Sequence, residues 1–293
     1  MNRMDDRDKA VGITMISSLM LGSSYVAIKM GVGAFDPFYL SAAAMVFGVL
    51  ACFVYMAYNG TLVRSIFKMR MFWFGSLLNT CLVSCQYIGL TMTTASAGGL
   101  IIGTNVLFVA IFSHFLFKEG ISRKRLIGLA LGFLGLVTIT TKWDVEVLSH
   151  GQLVGDLFML GSALCIALVV IFTPRALKQM KYEQWTLGLH ILLPFTLLGV
   201  GLMIPDQGGI GMNAIPLILY IGLVCTTIPT IMWTGALPKI GMVTSATVLM
   251  LESTFSVVLS VFLLGESLDA FIVVGALMTF AAIFLVADLE GGK

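Results

Sequence analysis

Charge is what this sequence has least of. Only 11% of its 293 residues are Asp, Glu, Lys or Arg, against roughly a quarter in an ordinary soluble domain. Hydrophobic residues make up 58% and the mean hydropathy is +1.01. A chain this poor in charge cannot dress a soluble surface, so the composition selects a membrane protein. The formal net charge of +2 is too mild for a nucleic-acid partner. Histidine is scarce too, with three in the chain. The five cysteines (Cys52, Cys81, Cys85, Cys165, Cys225) all lie in apolar runs, where they pack as small hydrophobes and imply no disulfide framework. Cys81 and Cys85 share a helix face, but no histidine or carboxylate lies nearby in sequence to complete a metal site. No phosphate-binding loop is present, so nothing points to ATP as the drive, and no cofactor is expected.

What the chain has instead is long uncharged stretches. A spanning helix needs about 20 apolar residues. Such stretches run over 10–28, 37–63, 126–141, 157–174, 184–205, 213–234 and 270–287, and a further apolar stretch, interrupted by Glu252, lies between Lys239 and Glu266. The uncharged run 71–117 is too long for one span and breaks near 91–99, which makes two helices. The reading is ten transmembrane helices, with a turn at 206–212. At about 20 residues each they use roughly 200 positions, and no soluble domain is expected between them. The first stretch is too long for a cleaved signal and follows a mixed-charge tail with Asp5, Asp6 and Asp8, so it is expected to stay. With the amino terminus in the cytoplasm, the basic groups around residues 3–9, 64–70, 118–125 and 175–181, with Lys239 and Lys293, all fall inside. Only Lys29 and Lys142 fall outside. That split follows the positive-inside bias and predicts a multi-pass protein of the cell membrane with both termini cytoplasmic.

Self-similarity then sets the architecture. Glu119 follows the fourth helix and Glu266 the ninth, 147 positions apart, and the same offset pairs Gly128 with Gly275, Asn105 with Glu252 and Phe108 with Phe255. Five helices per half put the second copy into the membrane the other way up. The expected fold is therefore an all-α integral membrane protein of two inverted five-helix repeats, residues 1–149 and 150–293. Such symmetry lets a scaffold open alternately to either side of a central site.

The run Gly22-Ser23-Ser24-Tyr25-Val26-Ala27-Ile28-Lys29, the fourth helix's ending Lys118-Glu119-Gly120-Ile121-Ser122 and its copy Gly265-Glu266-Ser267-Leu268 carry a resemblance. Over nearly its whole length the chain resembles the drug/metabolite transporter superfamily, specifically its EamA-type ten-helix permeases. It departs from the family pattern at Leu21 and Ile166, where tryptophan is frequent, and at Val106 and Ser253, where proline is. The resemblance implies export of amino acids, related metabolites or amphipathic drugs.

Among individual residues Glu252 stands out, near the centre of the ninth helix. An ionised carboxylate at the bilayer midplane costs roughly 2.5–3.5 kcal/mol. It is expected to face a cavity or a partner, or to be protonated, which makes it the candidate for proton coupling or for a cationic group of the substrate. A neutral packing role is the alternative. Ser245, Glu252, Ser256 and Ser260 share one side of that helix, and Ser76, Asn79, Gln86 and Thr93 share one side of the third; both stripes are expected to line a central cavity. Asn79, Gln86, Asn105, Trp233 and Glu252 are the substrate-binding candidates, with Thr226 and Thr230 beside Trp233. Lys29 either snorkels to the interface or contacts an anion at the outer mouth. Glu119 and Glu266 read as structural, each ending a helix shortly before Ser122 or Asp269, residues suited to start the next. His114 and His190, alone on separate helices, read as satisfied interfacial histidines, with a proton relay as the alternative. Gly99, Gly103, Gly128, Gly132 and Gly135 are spaced for close helix packing, and Pro194 and Pro229 are expected to kink their helices.

These features favour a secondary transporter moving a small organic solute by alternating access, an exporter driven by a proton gradient or by exchange, over an enzyme. The expected partners are the solute, membrane lipids and protons. The competing reading is an integral-membrane enzyme acting on a lipid or prenyl substrate. That chemistry usually needs several carboxylates or histidines at one depth, and here one deep acid and scattered histidines are found. The lack of several buried Lys or Arg also argues against a nucleotide or sugar phosphate as cargo.

Overall fold

The computed structural model describes residues 2–32, 34–117, 123–143, 151–203, 211–240, 245, 248, 249 and 251–287. They are nearly all helical. Helix α1 covers Asn2–Gly31 and α2 covers Pro37–Tyr58. The start of α2 is set by Asp36, whose Oδ1 accepts the amides of Phe38 and Tyr39 at 2.9 and 2.8 Å, with Pro37 in the first turn. It stops at Asn59 and Gly60, the glycine taking φ +62°, short of the expected limit at residue 63. Helix α3 (Arg70–Met92) and α4 (Ala95–Gly103) are separated at Thr93 and Thr94, inside the expected break, and the Thr94 hydroxyl caps α4 by accepting from the Ala97 amide. Thr104 separates α4 from α5 (Asn105–Phe117).

Helix α6 spans Arg123–Thr141 and α7 spans Gly151–Leu177. Next come α8 (Tyr182–His190) and α9 (Leu193–Met203), interrupted at Ile191 and Leu192. Then follow a short 3₁₀ turn (Met212–Ala214), α10 (Ile215–Leu219), a π-helical stretch (Tyr220–Thr227) and α11 (Ile228–Ile240). Helices α12 (Leu251–Leu264) and α13 (Ala270–Ala287) end the described chain. Most of the expected turn at 206–212, and Glu119 with its flanking residues, lie outside the described residues.

Among the described residues six helical stretches are long and apolar enough to cross a membrane: Asp6–Gly31, Pro37–Tyr58, Ala95–Leu116, Gln152–Leu177, Tyr182–Met203 and Met212–Ile240. Shorter apolar helices run over Ala130–Ile139, Leu251–Leu264 and Ala270–Ala282. Helix α3 is as long but carries Ser76, Asn79, Thr80, Ser84 and Gln86. Large apolar side chains such as Phe195, Leu202 and Phe262 are more than two-thirds exposed, the pattern of a lipid-facing surface. Inside, Tyr25, Phe72 and Trp185 are fully buried.

Small residues bring the helices together, because apolar lipid offers no hydrophobic drive for helix association and close packing must supply it. A Cβ on Gly22 of α1 would lie 2.6 Å from the Glu252 carbonyl oxygen, so α1 rests directly on α12. Gly99 and Gly103 admit Ser256 and Ser253 of α12 in the same way. Gly89 and Gly155 meet between α3 and α7, and Gly135 and Gly275 between α6 and α13. The glycines expected to mediate packing at positions 99, 103, 132 and 135 all sit in such contacts.

Candidate functional site

A cavity of about 140 Å³ opens between α1, α2, α3, α7, α8, the π-helical stretch, α11 and the approach to α12. Its walls are mainly apolar: Leu21 and Ile28 from α1, Leu82 and Val83 from α3, Ile166 and Val170 from α7. Among the described lining residues the one carboxylate is Glu252, and neither lysine nor arginine is present. Glu252 Oε1 accepts the Tyr25 hydroxyl at 2.8 Å, linking α12 to α1. The local sequence explains the pairing. Gly22 lets the α1 backbone touch the Glu252 backbone, and Tyr25, one turn further along α1, then reaches the carboxylate.

Four of the sequence candidates, Asn79, Gln86, Trp233 and Glu252, line this cavity together with Thr226 and Thr230. Asn79 Nδ2 donates to the Leu189 carbonyl at 2.8 Å, so this amide also fixes α8 against α3. The indole N–H of Trp233 is taken by Ser245 Oγ at 2.7 Å, and the ring is presented as an apolar wall. Asn105 does not line the cavity; its Nδ2 donates to the Ile102 carbonyl at 2.8 Å, beside the break at Thr104. Nor do Ser256 and Ser260. Their hydroxyls reach Ala95 O and Ser96 Oγ, because the face of α12 that carries them is packed on α4. Just past α3, Thr93 donates to Asp156 Oδ1 of α7. Tyr25 and Tyr87 line the cavity without having been singled out as site candidates, and His190, read as interfacial, lines it too. Tyr25 was visible inside the Gly22 motif, one helical turn after the glycine. His190 was visible as the residue four before Pro194.

Two irregular helices border the cavity. Pro194 has no N–H to give the His190 carbonyl, and α8 ends there. Pro229 likewise cannot serve the Cys225 carbonyl, and the π-helical stretch lies just before it, placing Ile221, Cys225 and Thr226 on the cavity. The Thr226 hydroxyl takes up the Ile221 carbonyl five residues back, at 2.8 Å.

A second polar cluster lies at the Lys29 end of α1. The ammonium turns inward instead of snorkelling and donates to the carbonyls of Leu90 (3.0 Å) and Thr93 (2.6 Å), the acceptor end of α3. Glu266, just past α12, accepts the amides of Ala95 (2.9 Å) and Ser96 (3.0 Å) and the Ser96 hydroxyl (2.6 Å), the donor end of α4. The structural part expected of Glu266 is thus a cap on another helix, and Asp269 in turn caps α13 by accepting from the Ile272 amide.

The EamA-like transporter family model matches twice, over residues 8–141 and 153–287. The chain belongs to the EamA-like transporter family. It is a multi-pass membrane transporter of this type, as the expected resemblance implied. An uncharacterized transporter of Archaeoglobus fulgidus is 24% identical over 92% of this chain and 94% of its own length. The Bacillus subtilis uncharacterized transporter YyaM is 22% identical over 89% and 88%. A chloroplastic WAT1-related protein of Arabidopsis thaliana is 25% identical over 92% of this chain and 67% of its own. One solved crystal structure superposes with a TM-score of 0.70 at 16% identity, covering 98% of this chain and all of that one, which is a likeness of fold.

Proposed function

We propose that this EamA-like protein is a secondary active transporter of ten spans in two inverted repeats, residues 1–149 and 150–293, with both termini cytoplasmic. It moves a small amine or zwitterion, an amino acid or related metabolite, outward by alternating access. The double match of one family model supports the duplication. So does the packing: α3 against α7 mirrors α1 against α11, and α5 against α7 mirrors α1 against α12. The observation that carries the cargo class is Glu252, the one carboxylate among the described lining residues, held by Tyr25 among apolar walls with neither lysine nor arginine among those residues. An ammonium is the group such a site accommodates, because a buried acid favours a cationic partner and an anionic cargo would meet only repulsion.

Asn79, Gln86 and the Trp233 ring form the remaining walls in this reading, while Asn105 serves the α4–α5 break. Glu252 also serves as the proton-coupling group, since exchanging a bound ammonium for a proton leaves the carboxylate compensated in either state while the site is re-exposed from one side to the other. The Lys29–Glu266 cluster seals one mouth by tying α1 and α12 to the facing ends of α3 and α4. Purified protein in liposomes, offered amino acids, amines and lipophilic cations with and without a pH gradient, tests the proposal. Gradient-dependent flux of an amine or zwitterion is expected, and it should vanish in Glu252→Gln. Unaltered flux and pH dependence in that variant would remove Glu252 from the mechanism; no flux of any compound with tight retention of a lipid would favour an enzyme.

A further inference from the structure

We infer that His190 is the second pole of the cavity and selects cargo that carries a hydrogen-bond acceptor, a carboxylate above all, besides its amine. The inference deepens the transport reading above and rests on it. His190 lines the cavity on α8 and is 3% exposed, yet its Nδ1 has no hydrogen-bond partner. Buried polar atoms are almost always paired, so an orphan ring nitrogen in a side chain that borders a binding cavity calls for a partner, which the cargo can supply as the wall adjusts around it.

The surroundings fix what that partner is. The described titratable side chains around the cavity are Tyr25, Tyr87, Cys225, Glu252 and His190, and of these only the imidazole offers a ring N–H to an acceptor. Glu252 and Tyr25 occupy the α1–α12 wall; His190 comes from α8, beside the amide of Asn79, which anchors the preceding Leu189 carbonyl. An ammonium against Glu252 and an acceptor hydrogen-bonded to the His190 ring N–H leave neither polar end of the cargo without a partner, the condition for burying polar groups in a low-dielectric interior. A plain amine satisfies only the first pole.

Matched pairs separate the two poles. Leucine, methionine and phenylalanine, each beside the amine that lacks only its carboxylate, are titrated calorimetrically into the full-length protein in detergent, as wild type, His190→Phe, His190→Gln and Glu252→Gln. In His190→Phe the amino acid should bind about tenfold to a hundredfold more weakly while its amine is unchanged. His190→Gln, which keeps a donor, should restore part of the loss, and Glu252→Gln should weaken both members. Retained amine binding shows that each His190 variant is folded. Equal weakening of both members in His190→Phe, or of neither, overturns the assignment. If wild type binds no member of any pair, the reading of the cavity itself fails, and the assignment falls with it.

Discussion

Replacing Glu266 by glutamine probes the seal proposed at the Lys29 end of the bundle. The carboxylate accepts three hydrogen bonds from the first turn of α4, at 2.9, 3.0 and 2.6 Å. A glutamine keeps one acceptor oxygen, points an NH₂ donor at another donor, and removes the negative charge from a helix amino terminus. A lost cap costs about 1 kcal/mol and the lost charge a further ~0.3–1 kcal/mol. Together, about 1–2 kcal/mol shifts an equilibrium between sealed and open forms by roughly 5–30-fold. Cys225 reports on it, because its thiol lies on the cavity and is 2% exposed. With the other four cysteines replaced by alanine, an impermeant thiol reagent added from the Glu266 side should label Cys225 roughly 5–30 times faster in Glu266→Gln. A rate equal to the parent's would refute the seal. So would an equal rise when the reagent is added from the opposite side, since that reports general loosening.

Gly22→Ala places a Cβ 2.6 Å from the Glu252 carbonyl and 2.9 Å from Phe255 Cβ. Overpacking of this kind costs about 1–3 kcal/mol, a Tm loss of roughly 2–10 °C, whereas Gly12→Ala, with nothing within 4 Å of the new methyl, should not lower Tm. An unshifted Tm in Gly22→Ala would mean that α1 and α12 are not in backbone contact. At the Lys142 end of α6, burial works to raise the Asp269 carboxyl, but the Lys142 ammonium at 2.7 Å and the Ile272 amide outweigh it and hold it below its ordinary value. Its contribution is therefore complete above the ordinary range near pH 4 and is lost as pH falls through the lowered value. Both side chains are about one-third exposed, so Asp269→Asn should cost at most about 1 kcal/mol at pH 7. Parallel Tm scans should show that difference closing only in strong acid; a difference that persists there contradicts the pairing.

Much of the helix punctuation was legible because charge is so rare that each break is marked by composition. The α3–α4 break fell where Thr and Gly interrupt the apolar run, and Asp36 and Asp269 stand where helices begin. Glu252 was legible for the same reason, an acid where the membrane tolerates few. Its partner was not, because Tyr25 lies 227 positions away and only the Gly22 contact brings it within reach. Glu266 read as structural, but the helix it caps lies 170 positions earlier. Periodicity placed Ser256 and Ser260 on one face without saying which neighbour that face meets. Asn105 was chosen by its offset from Glu252, an offset blind to the break at Thr104 that takes up its amide.

The glycine contact between α6 and α13 has a bearing on how such a protein can diversify. Gly135 and Gly275 bring the two backbones together, while among the described residues neither helix contributes to the cavity. Substitutions in this clasp should alter how much folded protein accumulates in the membrane and leave untouched the choice of cargo. Substitutions in α1, α3, α8 and α11 can change that choice while inheriting the same clasp. If the cavity selects cargo as proposed, a lineage can exchange cargoes without renegotiating how α6 and α13 hold together.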